Sequence, residues 1–319
     1  MIQDLIARIR PNRTIEGISA VLLPFDAAGT VQWENFRAHL LRTHRAGLQP
    51  AVNMDTGFGP QLDPVRRYEV LVFTRETLGP GAPFVAGAQP FNAAGDPKAA
   101  YLASVAEIVK LGGTPIVFQS LLLAAAEGAA LVDLYREIGR AAPSFLAFEL
   151  GKQFAPFGRI YDLDLYRRLM QIPNLAGAKH SSLSRALELE RLAARDAERP
   201  DFRVYTGNDL AIDLVMYGSD YLLGLSCFDP EAFALRDRWW AEGDPRFYEL
   251  NDALQAVGMV AFRDPVPAYK DSCAAYLNLT GRMTGAHVHP SCPRRPPWEK
   301  ELLTPLATLV EAATRNPAG

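Results

Sequence analysis

The chain has 319 residues, 49% of them hydrophobic and 22% charged, with a formal net charge of −3 at pH 7. This length suits one large domain or a barrel with a modest appendage, and the charge balance excludes the basic surface that binds nucleic acid or an anionic membrane. No apolar run reaches the roughly 20 residues that span a bilayer, and residues 1–10 lack the apolar core of a signal peptide. The three cysteines have no CxxC spacing, which argues against a disulfide framework or a zinc cluster. We therefore expect a soluble cytoplasmic protein without a metal, a cofactor, a nucleic-acid partner or a membrane partner.

Eight short apolar runs alternate with helical patterns up to about residue 230. The predicted strands cover residues 17–25, 50–54, 83–88, 115–120, 145–150, 175–179, 202–206 and 221–226. These runs are too uniformly apolar to have one face in water, so they indicate a parallel sheet covered by helices. Eight strands, each followed by a helix, are the number that closes a (β/α)8 barrel. A doubly wound open sheet is the alternative, but the glycine-rich fingerprint that is typical of it is missing.

The alternation stops after Asp229 and Pro230. Helical patterns follow at 231–262, 266–279 and 298–315, with an irregular segment rich in Gly and Pro at 281–297. We predict a barrel with a short N-terminal extension over residues 1–230 and a C-terminal helical domain over residues 231–319.

Lys179 is the strongest candidate for chemistry. Only six of the 33 basic residues are lysines, and this one ends the run Leu-Ala-Gly-Ala-Lys at the carboxyl end of a predicted strand, where barrel active sites lie. Burial lowers the pKa of a lysine and leaves a free amine, which can form a Schiff base with a ketone. From the position alone, a lysine that reaches solvent or pairs with a carboxylate remains the alternative.

Residues 173–182, Pro-Asn-Leu-Ala-Gly-Ala-Lys-His-Ser-Ser, resemble the Schiff-base lysine strand of the dihydrodipicolinate synthase and N-acetylneuraminate lyase family. Three further segments are similar to loops and strand ends of that family: Asp55-Thr56-Gly57, Thr206-Gly207-Asn208-Asp209 and Gly224-Leu225-Ser226. The resemblance covers roughly residues 15–280. It implies a (β/α)8 barrel with a C-terminal helical domain, assembled as a homo-oligomer (a tetramer or a dimer), with Lys179 as the nucleophile and Gly207 at the substrate.

Two positions depart from the family in the handling of protons. Glu149 aligns best with a family tyrosine at the end of the fifth strand, and we predict it as the general acid and base. A pair with Lys152 or Arg159 is the alternative for this carboxylate. Ser120 is followed by leucines where the synthases have a tyrosine pair, so lysine-biosynthetic dihydrodipicolinate synthesis is not expected; Ser120 itself is predicted at the substrate.

The remaining site predictions concern the substrate carboxylate and the lysine. The amides of Thr56 and Gly57 are expected to hold the carboxylate. Asp55 either accepts hydrogen bonds from substrate hydroxyls or only caps a turn. His180 either tunes Lys179 or packs on the barrel rim.

The sequence thus predicts a Schiff-base lyase, an aldolase or a dehydratase, acting on a 2-keto acid such as pyruvate or a sugar-derived keto acid. A barrel that has lost catalysis and serves as a ligand-binding or regulatory protein is the alternative. Lys270 begins the sequence Lys-Asp-Ser, which is similar to the family's motif at the Schiff-base lysine. It is nevertheless predicted to lie in a helix of the appendage and not to be the nucleophile. His287 and His289 lack a carboxylate cluster and are predicted to have a loop role.

Overall fold

Eight parallel strands form a closed barrel in chain order in the computed structural model, which describes residues 6–315. The strands are β1 (Gly17–Ala20), β2 (Gln49–Val52), β3 (Val85–Ala88), β4 (Thr114–Val117), β5 (Phe145–Leu150), β6 (Leu175–Ser181), β7 (Arg203–Thr206) and β8 (Asp220–Leu223). Each overlaps one of the eight predicted strands, and the predicted barrel is confirmed. The ends of the two predicted units, residues 1–5 and 316–319, lie outside the described residues.

Helices surround the barrel and follow it in the chain. Around the barrel they are α1 (Trp33–Arg45), α2 (Pro64–Leu78), α3 (Pro97–Lys110), α4 (Leu121–Ala125), α5 (Gly128–Gly139), α6 (Leu163–Met170) and α7 (Arg185–Glu198). Between β7 and β8 the structure has a 3-10 helix (Ile212–Tyr217) where the simple β/α alternation predicts an α-helix.

Within the described residues, five α-helices follow β8: α8 (Pro230–Glu242), α9 (Arg246–Ala261), α10 (Tyr269–Leu279), α11 (Pro297–Glu301) and α12 (Leu303–Arg315). The pattern at 231–262 predicted one helix, but Gly243 adopts a left-handed conformation (φ 72°) and ends α8 there. A division into two units at residue 230 stays a prediction. Across residues 6–315, every helix is too short or too polar to cross a membrane.

Alternation along the strands separates the barrel interior from its outer wall. In β5, Leu146, Phe148 and Leu150 belong to the cluster that fills the barrel, whereas Phe145 and Ala147 pack outward with the helices. In β6, Ala178 packs outward, so the next side chain, Lys179, points inward. This alternation decides which strand-end residues reach the carboxyl-end opening of the barrel, which we call the mouth.

Candidate active site

Lys179 lies in β6 with its side chain inside the barrel. The residue is 8% exposed, and Nζ lies 4.6 Å from the centroid of the Phe148 ring on the neighbouring strand β5. Burial lowers the pKa of Lys179 to about 8, although the carboxylates of Asp209 and Asp55 oppose that shift. The barrel therefore holds an amine that is partly unprotonated near neutral pH.

Gly207 leaves room for the lysine. A Cβ at this position would lie 2.0 Å from Oγ of Ser181 and 2.6 Å from Cε of Lys179, and it would lie 3.1 Å from the carbonyl oxygen of His180. Two of these atoms belong to the site itself, so a larger residue here would displace the lysine stem. Gly207 thus lies at the candidate nucleophile, at the strand end where the sequence analysis placed it.

Asp209, in the loop after β7, supplies a buried negative charge beside the lysine. The residue is 3% exposed, and Oδ1 accepts the backbone N–H of Leu225 at 2.7 Å. Burial raises the pKa of Asp209 to about 6, while Lys179 and backbone N–H groups lower it. Opposite charges on Lys179 and Asp209 stabilise each other in this low-dielectric region.

The loop after β2 meets the first turn of α10 at the mouth. The hydroxyl groups of Thr56 and Tyr269 lie 2.7 Å apart, and the Tyr269 hydroxyl also donates to Oδ2 of Asp55 at 3.2 Å. Nζ of Lys270 donates to both carboxylate oxygens of Asp55 at 3.0 Å, and its side chain is 4% exposed. Asp55 is therefore paired with a buried cation, and its charge is compensated.

These residues surround a cavity of about 20 Å³, enough for about one water molecule. Its polar lining consists of Asp55, Thr56, Lys179, Ser181, Asp209 and Tyr269, and its apolar lining includes Met54, Phe148, Leu150 and Phe154. A three-carbon keto acid needs more room than this. Substrate entry therefore requires side chains at the mouth to move, and Phe154, which is only partly buried in the loop after β5, borders the cavity from that side.

Aromatic side chains cover one side of the mouth. The ring of Phe118 lies 5.1 Å from that of Phe148 and 6.0 Å from that of Phe91, whose own centroid lies 5.4 Å from Phe157. Phe91 and Phe157 are partly buried and pack on the residues that fill the barrel. The β3–β5 side of the mouth is thus apolar, whereas the side next to β2 and α10 is polar.

Glu149 does not reach the mouth, which corrects its prediction as the proton shuttle. Its two carboxylate oxygens accept from the Arg191 guanidinium at 2.9 and 3.2 Å, and one also lies 2.6 Å from Nδ1 of His180. Both Glu149 and Arg191 are 1% exposed. Burial raises the pKa of Glu149, but His180 and Arg191 outweigh that effect and the pKa is lowered. Glu149 is therefore a buried carboxylate of the outer wall, and its partners are Arg191 and His180 instead of Lys152 or Arg159.

His180 belongs to the same outer network. Its residue is fully buried, and Nε2 lies 2.7 Å from Oγ of Ser182 while Nδ1 faces Glu149. Because successive side chains of a strand point to opposite faces, His180 faces away from the cavity that holds Lys179. Of its two predicted roles, the position agrees with packing in the wall and not with direct contact to the lysine.

Two predicted substrate contacts are engaged elsewhere. The N–H of Gly57 donates to the carbonyl of Met54 at 3.1 Å, closing a turn, so this amide is not free for a carboxylate. The hydroxyl of Ser120 accepts from Tyr101 at 2.9 Å, and Ser120 precedes α4 instead of lining the cavity. Thr56 is the member of the predicted carboxylate cradle that lines the cavity.

The two histidines of the Gly- and Pro-rich segment lie in a loop. The carbonyl of His287 accepts the N–H of Phe25, and Nδ1 of His289 lies 2.8 Å from Oγ of Ser291. Between residues 6 and 315, the His, Cys, Asp and Glu side chains form no group of three that would hold a metal ion.

The cavity residues that the sequence analysis did not propose for the site include Phe148, Asp209 and Tyr269. Phe148 was detectable, because it is one position from Glu149 and shares the inward face with Leu146 and Leu150. Asp209 was noted only as part of a strand-end motif. Tyr269 was placed in the helical appendage, and nothing local to its sequence indicates that it reaches the barrel.

Comparisons with known proteins now place the fold. No protein-family model and no curated protein sequence matches the chain. The structure of a dihydrodipicolinate synthase from Thermotoga maritima is similar with a TM-score of 0.76 and 18% identity, over 93% of this chain and 100% of that one. YagE from E. coli K12, a prophage protein of the dihydrodipicolinic acid synthase family solved with pyruvate, gives a TM-score of 0.79 and 16% identity, over 93% and 98%. The synthase from Acinetobacter baumannii, also solved with pyruvate, gives 0.75 and 17%, over 94% and 99%.

At these identities the comparisons establish the fold. The chain has the architecture of the dihydrodipicolinate synthase structures over more than nine tenths of its length. The resemblance that the lysine strand indicated is confirmed at the level of the fold.

Proposed function

We propose that the protein is a divergent member of the dihydrodipicolinate synthase and N-acetylneuraminate lyase family and a Schiff-base-forming lyase that acts on a 2-keto acid. One observation carries the proposal: the buried amine of Lys179, with a pKa of about 8, lies in a cavity at the carboxyl end of the barrel strands. Barrel enzymes have their active sites at this end, and a lysine with a lowered pKa is the nucleophile that such chemistry requires.

The reaction begins with attack of the Lys179 amine on the ketone carbon C2. The resulting carbinolamine loses water and leaves an iminium, whose positive nitrogen draws electrons from the neighbouring C3. The Phe148 ring, 4.6 Å from Nζ, presents its electron-rich face to that cation. Loss of a group or a proton from C3 then gives an enamine, the intermediate common to aldol cleavage, aldol formation and dehydration.

Charge at the mouth supports a substrate with a carboxylate. Asp55 alone would repel such a group, but Lys270 holds it in a buried ion pair with two hydrogen bonds. Lys179 and Asp209 form a second pair of opposite charges. With both acids compensated, the mouth no longer repels the carboxylate of a keto acid.

The aromatic side of the mouth restricts which second substrate could react with the keto acid in an aldol reaction. Phe91, Phe154 and Phe157 offer no hydrogen bond to a chain of hydroxyl groups, and burying such groups unpaired is costly. An apolar aldehyde or a short keto acid suits this surface better than a sugar-derived acid. Lysine-biosynthetic synthesis is not proposed, since Phe148 and the leucines after Ser120 provide no phenol at these two strand ends.

Borohydride trapping tests the proposal. The protein is incubated with pyruvate, reduced and digested, and the Lys179 peptide is expected to gain the mass of one reduced pyruvate. Lys179→Arg should abolish the adduct. Lys270→Arg is the matched control, since this second buried lysine of the site is paired with Asp55 and should leave the adduct on Lys179 unchanged.

The same experiment decides against the proposal if no keto acid of a panel gives an adduct. A wild-type protein that binds pyruvate in a thermal-shift assay, yet is never trapped, would support the alternative of a ligand-binding barrel. An adduct on Lys270 instead of Lys179 would overturn the assignment of the nucleophile.

A further inference from the structure

Tyr269 brings a phenol into the cavity from outside the barrel. The residue opens α10, is 3% exposed, and lines the same cavity as Lys179. Its hydroxyl lies 2.7 Å from Oγ1 of Thr56 and 3.2 Å from Oδ2 of Asp55. We propose that Tyr269 is the catalytic acid and base of the reaction, moving a proton between C3 of the bound substrate and the carboxylate of Asp55. The inference rests on the function proposed above and names the group that handles its protons.

The ring of Tyr269 is held in place on one face and at its edge. It stacks on Phe262 with centroids 4.4 Å apart and planes 15° apart. A Cβ built on Gly224 would lie 3.1 Å from its edge, so the glycine gives the ring its room. A side chain fixed in this way presents its hydroxyl at one point of the cavity, which is the geometry that proton transfer requires.

The other polar groups of the cavity are less suited to the step. Oδ1 of Asp209 accepts the N–H of Leu225, and its charge balances Lys179. The Ser181 hydroxyl is packed beside Gly207. Tyr269 is the residue of the cavity lining whose hydroxyl is bonded directly to a carboxylate, so a proton that its oxygen accepts can be passed on to Asp55.

A phenol must pass a proton on in order to accept one. Burial raises the pKa of Tyr269 well above its usual range, and Asp55 raises it further. The phenol therefore stays neutral at working pH and is a weak base by itself. Its hydrogen bond to Asp55 removes this obstacle, because the tyrosine can release its own proton while it receives another.

In the iminium, this proton transfer moves two electron pairs and two protons. The C3–H bond breaks, its electron pair becomes the C2–C3 double bond, and the C–N π pair returns to the nitrogen of Lys179. The C3 proton goes to the phenol oxygen of Tyr269, and the phenol proton goes to Oδ2 of Asp55. Reversal of the transfer protonates C3 of the enamine and restores the carboxylate.

Thr56 and Lys270 position this pair. The Thr56 hydroxyl donates to the phenol oxygen, since the phenol proton is given to Asp55. Nζ of Lys270 holds both carboxylate oxygens and also lies 3.4 Å from the backbone carbonyl of Asp55. The carboxylate is thereby fixed toward α10 and toward the tyrosine.

Exchange of the pyruvate methyl protons with D2O, followed by proton NMR, measures the step directly. Tyr269→Phe keeps the ring and removes only the hydroxyl. It should be trapped by borohydride on Lys179 to the same extent as the wild type, with methyl exchange at least about 100-fold slower, the usual effect of removing a general acid or base. Tyr276→Phe is the matched control: this tyrosine is buried in the same helix, against Phe228, and its variant should exchange at the wild-type rate.

Each outcome separates the two proposals. If Tyr269→Phe is trapped normally and exchanges within about threefold of the wild-type rate, the role of the phenol is overturned and Lys179 remains the nucleophile. Lost trapping in a folded Tyr269→Phe also contradicts the role of the phenol, because the phenol would then be needed before C3 is deprotonated. A wild type that is trapped but does not exchange contradicts it as well. A wild type that is never trapped overturns the proposed function itself, and this inference with it. If Tyr269→Phe fails to fold, Asp55→Asn is used in its place, and fast exchange in that variant refutes the transfer to Asp55.

Discussion

The pH dependence of adduct formation is the most direct measure of the environment of Lys179. A lysine at its ordinary pKa of 10.5 has about one amine in 3,000 unprotonated at pH 7, whereas a pKa of about 8 leaves about one in ten. Burial thus raises the fraction of free amine by about 300-fold at neutral pH. The initial rate of pyruvate adduct formation should rise about tenfold per pH unit below pH 8 and level off above it.

The direction of the pKa shift of Lys179 follows from the charge of its protonated form. Burial destabilises the ammonium, so the folded protein releases this proton at a lower pH than an exposed lysine does. Asp209 and Asp55 work in the opposite direction because a negative charge stabilises the ammonium. Asp209→Asn removes one of these charges with little change of shape, and it should move the midpoint of the profile down by about one pH unit.

The assay is rapid quenching into borohydride at a series of pH values, with the Lys179 peptide quantified by mass spectrometry. Thermal unfolding at each pH confirms that the protein stays folded. A wild-type midpoint above about pH 9.5 would refute the argument that burial activates this amine. A midpoint that rises in Asp209→Asn would refute the assignment of Asp209 as the charge that holds the proton on the lysine.

Two further substitutions test the structure of the site. Gly207→Ala puts a Cβ 2.0 Å from Oγ of Ser181 and 2.6 Å from Cε of Lys179. We expect adduct formation to fall at least about 100-fold, because a displaced reacting group can cause a loss of this size. Trapping at the wild-type level in this variant would contradict the close approach. Glu149→Gln leaves Arg191 buried with a neutral partner and should lower the free energy of unfolding by about 3 kcal/mol or more, measured by urea denaturation. The folded Glu149→Gln protein should still be trapped on Lys179 and should exchange the pyruvate methyl protons at the wild-type rate, and slow exchange there would restore Glu149 as the proton shuttle.

The barrel was predictable because its signal is local and repeated. Each strand is a short apolar run, each is followed by a helical pattern or a turn, and eight repetitions allow only a few closed arrangements. The strand ends then placed Lys179, Thr56 and Gly207 near the mouth without knowledge of the register. Where the simple alternation failed, between β7 and β8, a 3-10 helix replaces the α-helix without changing the topology.

The error at Glu149 has a physical origin. Both faces of β5 are buried, so the run Phe-Leu-Ala-Phe-Glu-Leu has no polar face that would show which side chains point inward. The pairing with β6 also shifts its register between Phe145 and Leu146, where Ala176 of β6 is the extra residue. Alignment with the family tyrosine selected Glu149, whereas Phe148 is the residue that pairs with Lys179 in the register.

Lys270 shows a different limit of sequence reasoning. The sequence placed it in a helix of the appendage and excluded it as the nucleophile. The structure puts it in the appendage helix α10, but against a barrel loop more than 200 residues earlier in the chain, at Asp55. Such a contact depends on how α10 packs against the mouth, which no local pattern encodes.

The contacts of α10 also determine what the barrel needs in order to work. Without this helix, Asp55 would lose its cation and Thr56 would lose its hydrogen bond to Tyr269. An uncompensated carboxylate at the mouth would repel the anionic substrate, and it would also raise the pKa of Lys179 more than it does when Lys270 screens it. The helices after β8 therefore contribute to the cavity in two ways: they compensate the charge of Asp55, and they bring a phenol to the mouth. In the proposed mechanism, the barrel therefore supplies the nucleophile, and the C-terminal helices supply the group that transfers the proton.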